Sequence, residues 1–321
     1  MKMRKLGNSN IRVSEIGLGS MGMDHAYGPQ ADRVEMKKLL EYALDLGCNF
    51  FDTAPIYGEE NEKLLGTTFK NNRDEVIIAT KFGVTGLEVV NNTPQHKLDS
   101  KPLSIKRQLN ESLERLQTDY IDLYLQHRID PEIEPEEVAR TMNDLIQEGK
   151  IRAWGVSEAP LDYIKRAHKI CPISAIENQY SMIYRKSEGE LFEFCEKNNV
   201  AYIAYSPLGN GFLSGKYSSN INFPTDDFRS TMGRFNSDVM TQNQVVLDEI
   251  KQIGEDKNAT PAQIVLSWEL HQKPFIIPIP GTTKIERLKE NIKSNEVTLS
   301  SSELKHINQI LEQLDIDETY F

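Results

Sequence analysis

Four residues of this chain carry side chains that together can deliver a proton to an oxygen atom: Asp52 and Tyr57 in DTAPIYG, Lys81 in TKFG and His127 in YLQHR. A phenol with a pKa of about 10 is a poor donor at neutral pH, but a close ammonium favours the phenolate and lowers that value. Lys81 supplies the ammonium, and Asp52 is suited to keep it charged and fixed. His127 is suited to hydrogen-bond a carbonyl oxygen and orient it. The set donates a proton to an oxygen while something else adds to the carbon. Taken singly, each residue reads as ordinary packing, an ion pair or a satisfied core histidine; the argument lies in their joint placement.

That placement comes from the elements that end on them. Six short apolar runs, CNFFDT, VIIATK, IDLYLQH, IRAWGVS, AYIAYS and FIIPIPGT, stop on polar residues. Buried parallel strands read as continuous apolar runs, and parallel α/β folds build their sites where strand C-termini meet loops. Asp52, Lys81, His127, Ser157 and Ser206 therefore share one surface. Neighbouring strands lie about 4.8 Å apart, which brings the ends of the second, third and fourth strands within about 10 Å.

The rest of the chain alternates in the same way. KLGNSNIRVSEIGLG reads as a hairpin turned at Gly7 to Asn10, and strand-like runs then alternate with helical patterns over 33–46, 60–70, 104–116, 135–148, 161–168, 188–198, 261–272 and 285–292. Thr260, Pro261 and Gln263 fit an N-cap, an N1 proline and a capping-box glutamine, and Ser300 with Glu303 fits a second box. Eight strand–helix pairs favour an α/β fold of the closed (β/α)8 TIM-barrel type, with an N-terminal β-hairpin, over an open doubly wound sheet. Two extra helices, 238–256 and 301–314, fall outside the count. The stretch 206–237, rich in Gly, Ser, Asn and Pro, is too long for a connector and reads as functional. With no interdomain linker, residues 1–321 read as one domain.

Composition narrows the partners. A formal charge of −11 leaves no basic stripe for nucleic acid or an anionic membrane. Cys48, Cys171 and Cys195 lack metal-ligand spacing and read as structural thiols of a reducing compartment. The N-terminus lacks the apolar core of a signal peptide, and no run approaches the roughly 18 apolar residues of a membrane span, so a cytoplasmic protein is expected. Gly17, Gly19 and Gly22 spell G-x-G-x-x-G, but MDHAYGPQAD follows where a dinucleotide fingerprint needs a helix. These glycines instead let the loop after the first strand pass close to a ligand or a neighbouring loop.

In order, DTAPIYG, NEKLLG, TKFG, DLYLQHR, GVSE, YSPLGNGFLSGK and PIPGTTKIERLKEN resemble the aldo-keto reductases, over nearly the whole chain from Lys5 to about Ile292. The chain looks like the long-chain bacterial type, similar to potassium-channel β-subunit-like reductases. The resemblance implies a barrel closed at its base by the hairpin, NADPH (or NADP+) bound extended, Tyr57 as general acid, Asp52 and Lys81 as its tuning pair, and His127 as the carbonyl-orienting residue. It also implies a cofactor surface. Gly19, Ser20 and Met21 end the first strand, and Asp52 and Ser157 follow on later ones. Tyr205 is placed to stack on a nicotinamide. Ser206, Leu208, Gly209, Gly211 and Phe212, in a stretch that also holds Pro207, offer backbone N–H groups to a pyrophosphate, with Lys216 as a cation and Arg234 either joining them or remaining a solvated surface arginine. Gly281, Thr282 and Thr283 present donors at a helix N-terminus, Lys284 and Arg287 neutralise a 2′-phosphate, and Glu290 and Asn291 suit adenine.

One departure stands out. The family usually binds the nicotinamide carboxamide with Ser, Asn and Gln, whereas the matching positions here are Ser157, Glu158 and Glu177, with Gln179 two residues on. A carboxylate accepts from the carboxamide NH2 but cannot donate to its oxygen. Two functions fit. One is an NADP-dependent reductase of the carbonyl reductase or alcohol dehydrogenase type, turning aldehydes or ketones into alcohols. The other is an NADPH-binding regulatory or redox-sensing subunit. A metal-dependent barrel enzyme is set aside, because the strand ends lack clustered His and carboxylate ligands. The substrate pocket falls to His25, Tyr27 and the loop 85–102, with Phe82, Leu87, His96 and Gln126 near; their mixed polarity fits an aldehyde, a diketone or a sugar-derived carbonyl alike. Nothing in the chain signals an oligomeric state.

Overall fold

The structure is a computed structural model and describes residues 1–24, 26–90, 93–313 and 315–318. Strands β1 (Met3–Lys5) and β2 (Arg12–Ser14) form the expected antiparallel hairpin, pairing Met3 with Ser14 and Lys5 with Arg12. The eight-stranded sheet contains β3 (Leu18–Gly19), β4 (Phe50–Asp52), β5 (Ile77–Phe82), β8 (Ile121–Gln126), β9 (Ile151–Ser157), β10 (Ala175–Gln179), β11 (Ala201–Tyr205) and β12 (Ile276–Pro278), in chain order across the sheet and parallel throughout. Between β5 and β8 the chain inserts a second hairpin, β6 (Val84–Val90) and β7 (Thr93–Leu98). Gly17 N donates to Pro278 O at 2.9 Å and joins the first strand to the last, curling the sheet into a (β/α)8 barrel.

Helices α1 (Arg33–Asp45), α2 (Glu59–Phe69), α3 (Pro102–Leu116), α4 (Pro135–Gln147), α5 (Leu161–Ile170) and α6 (Glu190–Asn198) return the chain between strands. The insertion after β11 carries α7 (Ser237–Gln242) and α8 (Gln244–Lys257), and α9 (Pro261–Gln272), α10 (Ile285–Lys293) and α11 (Ser301–Gln313) complete the order. The reciprocal capping box at Thr260 and Gln263 starts α9, and Ser300 and Glu303 exchange backbone-to-side-chain bonds before α11. Among the described residues, no helix is long and apolar enough to cross a membrane.

The core has two parts. Phe51, Ile78, Tyr124, Trp154, Ile176 and Tyr202 face outward under the helices, while Phe50, Ala79, Leu123, Ala153, Ala175 and Ile203 fill the barrel, with Leu6, Ile11 and Val13 of the N-terminal hairpin plugging its base. All three cysteines are buried free thiols, and burial pushes Cys48 up to about 11. That holds it protonated and inert.

Two details differ from the sequence-based expectation. The stretch 85–102, expected as a loop, is largely the β6–β7 hairpin, and the 238–256 helix is interrupted at Asn243. There the Asn243 amide exchanges two bonds of 3.0 Å with the backbone of Asp317, fixing its side chain against the C-terminal segment between α7 and α8.

Candidate active site

Strand parity assembles the mouth of the barrel. Inward side chains recur every second residue, so the apolar inner residues Phe50, Ala79, Leu125, Ala153, Ala175 and Ile203 are followed on the same face by Asp52, Lys81, His127, Ser157, Glu177 and Tyr205. His127 lies one residue past β8, and its N–H donates to Phe82 O at 2.8 Å, extending the ladder by one step. The interior is thus apolar at its base and ionisable at its rim.

Lys81 is the hub. Its side chain is fully buried, and Nζ donates to Asp52 Oδ1 and Oδ2 at 2.7 and 2.6 Å, to the Thr53 carbonyl at 3.0 Å and to Tyr57 Oη at 3.3 Å. Glu177 Oε1 lies 3.3 Å from the same atom. Burial pulls the ammonium's pKa down, but Asp52, Glu177 and the Tyr57 hydroxyl together outweigh it and the net shift is upward. Lys81 is charged throughout the working range.

Tyr57 reaches this ammonium from the turn Pro55–Tyr57 after β4. Its ring is half-buried while its hydroxyl sits on the buried Lys81. Burial raises the hydroxyl's pKa, and Lys81 opposes the shift without cancelling it. The expectation of a lowered phenol value is corrected accordingly: desolvation outweighs the ammonium, and Tyr57 rests protonated. Because Lys81 donates to Tyr57 Oη, the phenol's own hydrogen is directed elsewhere.

His127 packs edge-on against Tyr57, with ring centroids 6.0 Å apart. Burial, then the Lys81 and Arg128 charges, hold its pKa well below the usual value, so the imidazole is neutral at pH 7 and has one N–H to donate. Arg128, which the sequence reading passed over although it follows His127 directly, donates to the His127 carbonyl at 2.6 Å and to Ser157 Oγ at 3.2 Å, linking the ends of β8 and β9.

Across the barrel, Glu158 occupies the left-handed region at φ 51°. Its N–H donates to Asn178 Oδ1 at 2.7 Å, and its Oε1 accepts from Gln179 N at 3.0 Å and from the Tyr205 hydroxyl at 2.8 Å. Glu158 therefore ties together the ends of β9, β10 and β11. Beside it, Glu177 Oε2 and Gln179 Nε2 are buried and make no hydrogen bond among the described residues.

After β11 the backbone turns sharply. Ser206, Gly209, Asn210 and Gly211 all have positive φ, between 52° and 99°. Pro207, Leu208 and Phe212 lie in this turn, which the 3₁₀ segment Gly209–Ser214 continues. Asn210 Nδ2 donates to Tyr27 Oη at 2.9 Å, Phe228 N donates to Ala26 O at 2.7 Å, and Tyr27 bridges Asp227 in antiparallel fashion. The insertion thus clasps the loop after β3 across the mouth. Arg234 is not a solvated surface residue: it is buried and donates to Asn210 Oδ1 at 3.0 Å, bracing the turn from behind. Lys216 is exposed, 5.3 Å from the Tyr217 ring centroid.

At the seam of the barrel, Gly19 and Gly281 meet back to back. A Cβ on Gly19 would lie 3.1 Å from Ile279 O, and one on Gly281 would lie 3.1 Å from Gly19 O. Ser20 hydrogen-bonds Asp52 O through both N and Oγ, and Met21 begins a 3₁₀ turn rather than the helix of a dinucleotide fingerprint. Thr282 Oγ1 accepts from Lys284 N at 3.1 Å at the start of α10. Lys284 and Arg287 are exposed and form no ion pair among the described residues; Thr283 and Glu290 are half-buried, and Asn291 is buried.

The Aldo/keto reductase family profile matches residues 15–312. The chain belongs to the aldo/keto reductase family. It is 38% identical to aldo-keto reductase str7 of Strobilurus tenacellus, covering 98% of this chain and 93% of that protein, and 37% identical to probable aldo-keto reductase 1 of Glycine max, covering 94% and 87%. It is 36% identical to aldo-keto reductase yakc of Schizosaccharomyces pombe, whose name specifies NADP(+), over 98% of this chain and 92% of that one. Among solved structures, the glycerol dehydrogenase of Gluconobacter oxydans superposes with a TM-score of 0.88 at 27% identity, covering 99% of this chain and 98% of that one. An aldo-keto reductase of Bacillus halodurans superposes at 0.77 with 28% identity, covering 99% and 98%. Membership brings the general chemistry of the aldo-keto reductases, NADP-dependent oxidoreduction of carbonyls.

The residues of this aldo-keto reductase fit such a cofactor. Glu177 Oε2 and Gln179 Nε2 are an orphaned acceptor and an orphaned donor inside the mouth, the two functions that a primary carboxamide needs. Lys284 and Arg287 offer two cations beside the Gly281 turn, where a phosphate would meet a helix N-terminus. His25, expected near the substrate, lies outside the described residues, as do 91 and 92 of the stretch 85–102. Asn210, Asp227 and Arg128 carry no signal of their own in the sequence, because each acts through a partner distant in sequence or through a backbone atom.

Proposed function

We propose that the protein is an NADPH-dependent reductase of aldehydes or ketones, with Tyr57 as the proton donor. One observation carries the reading: a buried ammonium, Lys81, held 2.6 Å from Asp52, donates to the hydroxyl of Tyr57 at 3.3 Å, with the neutral ring of His127 against that tyrosine. NADPH, when bound, supplies the hydride. Tyr57 rests protonated because burial holds its proton, and Lys81 offsets the charge that develops as the proton leaves for the carbonyl oxygen. His127, with its pKa held down, donates a hydrogen bond to that same oxygen and orients it. Tyr205, tied to Glu158, would stack on the nicotinamide; Ser157 and the turn 206–212, which Arg234 braces, would line its path, and Lys284 and Arg287 would neutralise the 2′-phosphate.

The test is NADPH oxidation across aldehydes, α-dicarbonyls and aldoses, repeated with NADH. Turnover of at least one class with NADPH preferred supports the reading. Tight NADPH binding with no turnover anywhere in the panel would instead indicate a cofactor-sensing subunit.

A further inference from the structure

Two carboxyl groups, Asp52 and Glu177, face one buried ammonium, and this arrangement is unbalanced. Asp52 takes the direct pair at 2.6 and 2.7 Å, and Glu177 Oε1 stands at 3.3 Å, with all three side chains almost wholly inside the barrel. With both acids ionised, the cluster carries one uncompensated negative charge in a dry interior, which is costly. Two routes restore balance: a proton on one acid, or a second cation. Asp52 holds both of its oxygens on Lys81, so the proton belongs to Glu177. Glu177 Oε2 is buried and makes no hydrogen bond among the described residues, and Glu177 ends the inward-facing row of β10 at the rim where the nicotinamide is placed on the reading above.

We propose that Glu177 is a proton-linked selector of cofactor redox state, neutral beside the uncharged reduced nicotinamide and anionic beside the cationic oxidised one. The inference rests on the nicotinamide assignment of the preceding section. In its neutral form, the Glu177 carboxyl has one donor and one acceptor, as a glutamine amide does, which answers how an acid replaces the family's Gln. In its anionic form, Glu177 is the counter-ion of the oxidised ring, and its proton leaves for solvent. Burial, then the Asp52 charge, raises the carboxyl's pKa, and Lys81 only partly restores it. The charged or titratable groups facing Glu177 are Asp52 from β4, Tyr57 from the turn after it and Lys81 from β5; in register beside it, β9 and β11 bring Ser157 and Ile203. His127 stays neutral across the range.

Binding of NADP+ is then expected to release up to one proton and that of NADPH none. The ratio of their dissociation constants cancels the 2′-phosphate, which titrates in both near pH ~6. Fluorescence titrations at pH 6, 7 and 8 test this. The ratio Kd(NADP+)/Kd(NADPH) should fall by up to about tenfold per pH unit in the native chain and stay flat in Glu177→Gln. Should that variant fold poorly, calorimetric proton release by the native chain in two buffers of different ionisation enthalpy gives the same answer. A pH-independent ratio with no difference in proton release, or an unchanged slope in Glu177→Gln, would overturn the selector and leave the reductase reading intact. Failure to bind either nucleotide would overturn both.

Discussion

The hydroxyl of Tyr205 donates to Glu158 at 2.8 Å, and this bond fixes the tilt of the aromatic ring that we propose stacks on the nicotinamide. Glu158 has a left-handed backbone, a conformation that costs a non-glycine residue about 1 kcal/mol and persists where surrounding contacts enforce it. Glu158→Ala should therefore free Tyr205 and weaken NADPH binding by about threefold to tenfold, the worth of one hydrogen bond. Tyr205→Phe should weaken it by a similar factor, and the double variant by no more than either. Fluorescence titration of the three variants checks this; additive losses would separate the two residues.

The Lys81 cluster makes an asymmetric stability prediction. Lys81→Met leaves Asp52 and Glu177 without a buried cation and should cost about 3–5 kcal/mol in urea unfolding. Asp52→Asn should cost less, because Glu177 still faces the ammonium at 3.3 Å. Equal losses would show that Glu177 contributes nothing to holding Lys81.

The same cluster sets a pH dependence of stability. Glu177 is raised from 4.5 to about 8 in the folded chain. Between those values the unfolded chain has already lost the proton that the folded chain keeps, so stability falls as pH rises through that window and levels off above it. Urea midpoints at pH 5 and pH 8 should show a smaller difference in Glu177→Gln than in the native chain.

Much of this site is legible in the sequence. Apolar runs ending in Asp52, Lys81 and Ser157 identify the strands, and period-two alternation turns strand ends into a shared surface, so the eight-stranded sheet and the meeting of Asp52, Tyr57, Lys81 and His127 follow from local pattern. The less legible parts depend on distant partners. Arg234 lies in a loop-like stretch, and its burial against the turn at Asn210 is made by tertiary packing. The break at Asn243 coincides with its two bonds to Asp317, 74 residues away. The β6–β7 hairpin hides in residues such as Gly86, Pro94 and Lys97, which are poor strand formers and read as a loop. At Tyr57 the nearby charge is legible in the sequence, whereas the desolvation that outweighs it depends on packing.

Lys284 and Arg287 carry a selectivity prediction. Replacing either with Ala should weaken NADPH binding by about tenfold, in line with a charge-assisted bond of at least 1.4 kcal/mol, and leave NADH binding unchanged. Raising salt should shrink the difference, since both cations are exposed. Equal losses for both nucleotides would move the 2′-phosphate elsewhere.

The central claim is that Tyr57 donates the proton. Single-turnover oxidation of bound NADPH by an accepted carbonyl, compared between the native chain and Tyr57→Phe, tests it most directly. The variant should bind NADPH with near-native affinity and lose turnover by at least about 100-fold, the usual worth of general acid catalysis. A Tyr57→Phe enzyme that turns over at a rate near the native one would contradict the account.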